Sequence, residues 1–190
     1  MSLTLTHAFV PIAAMVAIPT WRKPRRLVAT AVLAAMAPDL DALMHPLFGI
    51  ARDSIYSHRG FSHSLFVALG FGALAAIFHR QLKVPSLTAS VVVAASMASH
   101  GLLDMMTASG KPVAYLWPLS SRRMFADWRP FPGTPNAPSF FQEVASRIGP
   151  EIVHVILPLL AAAIVVRGCV MIVGQVDWRN RPRMPRGNEP

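Results

Sequence analysis

Charge is scarce in this chain, and acid is scarcer than base. Of 190 residues only 14% are charged, with 9 Asp or Glu against 18 Lys or Arg; a soluble domain carries roughly 25% charged residues. That excludes an ordinary water-soluble globule. The single cysteine, Cys169, excludes an intramolecular disulfide and any thiolate metal cluster. Its place within an apolar run suits a small buried core residue. No internal repeat is present, which argues against the repeated halves of many transporters. No basic residue falls in 1-MSLTLT-6, so the first apolar segment lacks the start of a cleaved signal peptide.

What is abundant is apolar: 53% hydrophobic residues and a mean hydropathy of +0.44. A spanning helix needs about 20 mostly apolar residues, so four or five would fill half the chain or more. The pattern predicts helices over about His7–Thr20, Leu27–Leu43, Ser64–Phe78, Ser86–Ala108 and Glu151–Val176. The predicted fold is therefore all-α, a polytopic membrane bundle of about five helices. It forms one domain over 1–178, with 109–150 as an extramembrane lid, followed by a basic cytoplasmic tail, 179–190. Pro38 should bend or loosen the end of the second helix, and a loop should run from His45 to about Gly60.

The net charge of +9 comes largely from clusters just beyond apolar segments, 21-WRKPRR-26 and 179-RNRPRMPR-186. Anchoring on anionic headgroups explains these clusters, and no nucleic-acid partner is expected. Placing the first turn, the turn at 80–83 and the tail on one side collects ten basic residues against seven opposite. Cytoplasmic loops carry the Lys/Arg excess, so the N-terminus and the lid are expected outside.

The polar side chains set among these helices form a pattern. With this topology His7, Asp39, Asp41, His58, His63, His100 and Asp104 all fall at outer helix ends. His100 and Asp104, at i and i+4, share one helix face. An aspartate at a helix centre costs about 2.5–3.5 kcal/mol on insertion scales, so convergence on a metal explains the set better than decoration does. Imidazole and carboxylate donors suit zinc first, one or two ions, with manganese or iron possible. His63, His100 and Asp104 are the expected core, with His7, Asp39 and His58 completing it. Asp39 or Asp41 would orient a histidine or take a proton from water. His45 is a weaker candidate, His79 should face headgroups, and His154 suits packing or hydrogen bonding. Arg122 and Arg123 lie on the same side and could bind substrate phosphate. Trp117, Trp128, Phe131, Phe140 and Phe141 suit an interfacial layer.

The strings 38-PDLD-41, 58-HRGFSHS-64 and 99-SHGLLDMMT-107, with His7 near the start, resemble the LexA-regulated, membrane-bound metal-dependent hydrolase family (YdjM-like). The resemblance covers about residues 1–125. That family looks distantly like the zinc-dependent phospholipase C and single-strand nuclease superfamily. The resemblance implies that His63, His100 and Asp104 are ligands and that Asp104 bridges two ions. His7 would serve the second ion, and one aspartate of 38-PDLD-41 would serve the first or act as base. It also implies a bacterial inner-membrane hydrolase, and the basic-residue bias puts its site on the outer face. The substrate would be a phosphoester, a membrane lipid or a lipid-linked phosphate, cleaved by metal-activated water. The further histidine and carboxylate of the soluble superfamily are missing, so one or two ions are expected rather than three. The competing function is a transporter or metal-handling protein without hydrolytic activity. A scaffold whose metal only staples helices is a third.

Overall fold

The computed structural model describes residues 4–18, 23–131, 146 and 148–179. Helix α1 (Thr4–Ala17) precedes α2 (Arg25–Met36), which tightens into a 3-10 segment, Ala37–Leu43, and resumes as short α3 (Met44–Phe48). Pro38 accounts for the change of pitch, because it cannot donate to the α-helical ladder. Gly49 closes the rod in left-handed backbone, φ +67, with its N–H donating to His45 O at 3.0 Å. The rod therefore runs past the expected end at Leu43, and His45 is helical instead of opening a loop.

A 3-10 turn at Phe61–His63 leads into α4 (Leu65–Ile77), whose N-cap Ser64 accepts from Val67 N at 3.2 Å. Short α5 (His79–Leu82) ends at Lys83 in left-handed backbone and turns the chain into α6 (Ser86–Met105). A π-helical turn, Ile152–Ile156, precedes α7 (Leu157–Arg179). Among the described residues there is no strand, only isolated bridges at Thr107–Phe131 and Val113–Met124. The fold is all-α, as predicted.

Three segments are long and apolar enough to cross a membrane: Arg25–Phe48, Ser86–Met105 and Ile148–Ile172. Thr6–Ala17 and Leu65–Ile77 are apolar but shorter. At about 1.5 Å rise per residue, α4 covers only ~20 Å of a hydrocarbon core ~30 Å thick.

The central packing is built on alanine. Leu27 and Ala34 of α2, Ala68 and Ala75 of α4, and Ala89, Val93 and Met97 of α6 form one buried cluster. Small residues let helix backbones approach closely, which drives association where lipid removes the hydrophobic incentive. Gly72 marks the tightest approach: a Cβ there would lie 2.7 Å from Ala94 Cβ and 2.8 Å from Ser90 O. Gly72→Leu should force α4 from α6 and cost about 1–3 kcal/mol or more, read as a lower melting temperature in detergent. An unchanged melting curve would contradict this packing.

Helix α7 docks mainly on α1. The Thr6 hydroxyl bonds the Glu151 carboxylate at one end, and Arg167 Nη1 donates to Val16 O at 3.2 Å at the other. Because α7 stands at the bundle's edge, Cys169 is exposed and not a core residue as expected. Trp21, Arg22, Arg147, the 132–145 stretch with Phe140 and Phe141, and tail residues 180–190 lie outside the described residues.

Arg25, Arg26, Arg80 and Lys83 mark one end of the bundle, where Arg26 Nη1 donates to Gln81 O at 3.3 Å. Asp39 follows Arg25, and His100 follows Ser86, by the same number of residues. Both therefore stand ~21 Å along their helices from that end.

A buried histidine and aspartate centre

The 3-10 segment sets the two aspartates apart. With three residues per turn, positions two apart point in different directions. Asp39 turns toward His100 and Asp41 toward His58. His63, at the end of its own 3-10 turn, stands between them. Its Nε2 is 3.4 Å from Asp104 Oδ2 and 4.0 Å from Asp39 Oδ1, while its Nδ1 is 3.1 Å from Asp41 Oδ2. His100 Nε2 lies 3.3 Å from Asp39 Oδ1 and 3.8 Å from Asp104 Oδ2, and its Nδ1 is 2.7 Å from Ala35 O.

Both rings are thus fixed from behind. The partners at Nδ1 are a carbonyl and a carboxylate, which only accept, so Nδ1 carries a proton and Nε2 is the atom left to face a metal. Neither Nε2 has a hydrogen-bond partner, although both are buried. Donor atoms of Asp39, His63, His100 and Asp104 all lie within 4.8 Å of one another. Buried imidazole nitrogens without hydrogen-bond partners, opposite two carboxylates, could hold a metal ion. Burial opposes charge on His63, but Asp104 and Asp41 on either side outweigh it and raise its pKa to about 9, so a cation would have to displace its Nε2 proton.

His7, in the first turn of α1, stacks on His100 with ring centroids 3.7 Å apart, and its Nε2 is 3.8 Å from Asp104 Oδ1. His58 Nδ1 donates to Asp41 Oδ1 at 2.7 Å, and the Ser62 hydroxyl bonds Asp41 Oδ2. Asp41, His58 and His63 make a second, overlapping cluster. Both oxygens of Asp41 are therefore engaged in holding the two histidines, the arrangement that orients metal-binding imidazoles.

Sequence reasoning missed Arg59. Its side chain is 0% exposed, and Nη2 donates to Asp104 Oδ1 at 2.8 Å. Nη1 donates to Ser109 O at 3.1 Å and Lys111 O at 2.7 Å. The guanidinium occupies one Asp104 oxygen and leaves Oδ2 facing the histidines. Two left-handed positions serve this contact: Arg59 itself, φ +64, and Gly110, φ +89, where a Cβ would lie 2.7 Å from Arg59 Nη1. An arginine within 58-HRGFSHS-64 was visible in the chain, but its burial was not.

The other candidates are placed as follows. Arg123 donates to Ser54 O at 2.7 Å, His58 O at 3.2 Å and Ser57 Oγ at 3.3 Å, bracing the loop that carries His58. Arg122 is exposed, with its backbone N–H on Ser120 Oγ. The Nδ1 atoms of His45, His79 and His154 meet the carbonyls of Ile50, Val84 and Pro150 at 2.9, 3.1 and 2.9 Å. None of these three histidines belongs to either cluster among the described residues.

Residues 1–176 match the YdjM inner membrane protein family. The chain is 32% identical over 184 residues to the inner membrane protein YbcI of Escherichia coli (strain K12), covering 95% of this chain and 100% of that one. No solved structure matches. The chain belongs to the YdjM inner membrane protein family and is a multi-pass membrane protein.

Proposed function

We propose that this YdjM-family protein is a metal-dependent hydrolase that cleaves a phosphoester of a lipid headgroup or a lipid-linked phosphate. One observation carries the reading: His63 and His100, each fixed at Nδ1, aim buried Nε2 atoms without hydrogen-bond partners at Asp39 and Asp104. Those four residues would hold the ion, zinc in the first instance, and His7 would complete the set or serve a second ion. A bound zinc supplies Lewis acidity and brings the pKa of its water near 7. No serine or cysteine nucleophile is needed.

The surrounding residues do the rest. Asp41 holds His63 and His58 in register, and Arg59 turns Asp104. Asp39, whose side chain is 13% exposed against 3% for Asp104, is the more accessible of the two carboxylates and is suited to accept a proton from water. The ligand side faces away from the basic turns, and the positive-inside bias supports a site toward the outer leaflet.

Elemental analysis of purified protein, with a panel of phosphoester and carboxylic ester substrates, tests the reading. About one or two equivalents of zinc, manganese or iron and turnover of a phosphoester are expected. Retained metal with no turnover on any substrate would leave a metal-handling protein. Asp41→Asn separates positioning from proton transfer. As a positioning residue, Asp41 should cost about 10–100-fold in metal affinity, and added metal should restore turnover. Low turnover at full metal occupancy would instead make Asp41 the base.

A further inference from the structure

We propose that the polar cleft beside the centre is a headgroup site for a phosphate-bearing lipid, with Arg52 and Lys111 as its anion contacts. The use made of this ligand rests on the hydrolase reading; its binding does not. The cleft has a volume of about 360 Å³, within the ~300–1,000 Å³ range of small-molecule sites. Asp41 and His58 line it, and the His58 ring meets the His63 ring edge to face, centroids 5.4 Å apart. A group lodged there abuts the metal centre.

Arg52 and Lys111 supply the charge. Lys111 Nζ donates to Arg52 O at 2.7 Å, which keeps the ammonium beside the arginine while two of its N–H donors stay available. The one carboxylate in the cleft, Asp41, is already matched by His58, His63 and Ser62. The remaining field is positive and suits a phosphate.

The wall commits the site to a lipid. Asp41, Ala42, His45 and Pro46 face the cleft, whereas Leu40, Leu43, Leu47 and Phe48 are 64%, 49%, 66% and 68% exposed. Those spacings put the two sets on opposite faces of one short helical segment. One face is turned to the anion site and the other presents an apolar ridge away from the protein. The segment continues a rod long enough to cross a membrane, so acyl chains are the partner of that ridge. Free phosphate would need the cations alone.

The test uses full-length protein in phosphatidylcholine nanodiscs doped with a photoactivatable phosphatidic acid. Cross-links should map to the 40–48 segment and the cleft rim. Arg52→Gln with Lys111→Gln should lower labelling about tenfold for each cation removed, with Arg52→Lys retaining it. Leu43→Ser with Leu47→Ser should lower labelling as well. Wild-type labelling of the charge pair variant overturns the headgroup site. Wild-type labelling of the ridge variant leaves an anion site indifferent to lipid and also overturns the proposal. His100→Ala protein should lose metal and still be labelled, so this inference and the metal reading can fail separately.

Discussion

His100→Ala should strip the metal and abolish hydrolysis together, while the protein still inserts and folds. The variant removes a metal-facing nitrogen from the rigid end of α6, and its hydrogen-bond loss among the described residues is at the Ala35 carbonyl. Loss of a residue that merely orients a ligand costs about 10–100-fold in metal affinity, so loss of a ligand itself should exceed that. Asp104 is the harsher test. Its carboxylate balances the fully buried Arg59, and breaking a buried pair from one side costs about 3–5 kcal/mol. Asp104→Ala should therefore lose metal and also melt earlier, whereas His100→Ala should lose metal with a smaller change in melting. Elemental analysis beside thermal unfolding in detergent checks both. Full metal content and turnover in His100→Ala would remove the centre from the mechanism.

Arg59→Met is the second large effect. It keeps much of the side-chain length but removes the guanidinium bonds to Asp104 Oδ1 and to the carbonyls of Ser109 and Lys111. Removing the guanidinium from the buried carboxylate should destabilise the metal-free protein by about 3–5 kcal/mol. A divalent cation at the centre supplies positive charge to the same aspartate. The stabilisation gained on adding zinc should therefore be larger in Arg59→Met than in wild type, since any ligand that binds only the folded state shifts stability by mass action. Melting curves with and without chelator measure that difference. An equal zinc effect in both proteins would make Arg59 a loop anchor with no bearing on the metal.

Membrane class and helical fold were legible in the chain because both are local. A run of apolar residues is hydrophobic whatever it packs against, and its length decides whether it spans. The polar candidates were legible for the same reason: a histidine or aspartate within such a run is costly unless it is matched. Thus Asp39, His63, His100 and Asp104 stood out singly, and the i, i+4 spacing joined the last two. Pro38 announced a disturbed helix, though not that the rod would continue as 3-10 and α to Phe48.

Which polar group meets which was decided only by packing. Asp41 and His58 are 17 residues apart, Arg59 and Asp104 are 45 apart, and Ala35 and His100 are 65 apart. No periodicity links such positions, because their distance depends on how α2, α4 and α6 close on one another through Ala34, Ala68 and Val93. That closure turned Asp41 from one more carboxylate into the brace of two histidines and buried Arg59 against Asp104. It also committed Arg123 to the loop it braces and left Arg52 and Lys111 at the mouth of the cleft. The chain by itself set the solvent, the helices and the donor chemistry; tertiary contact assigned each donor its partner, since hydrogen bonds and ion pairs act over a few ångströms that only the folded packing brings about.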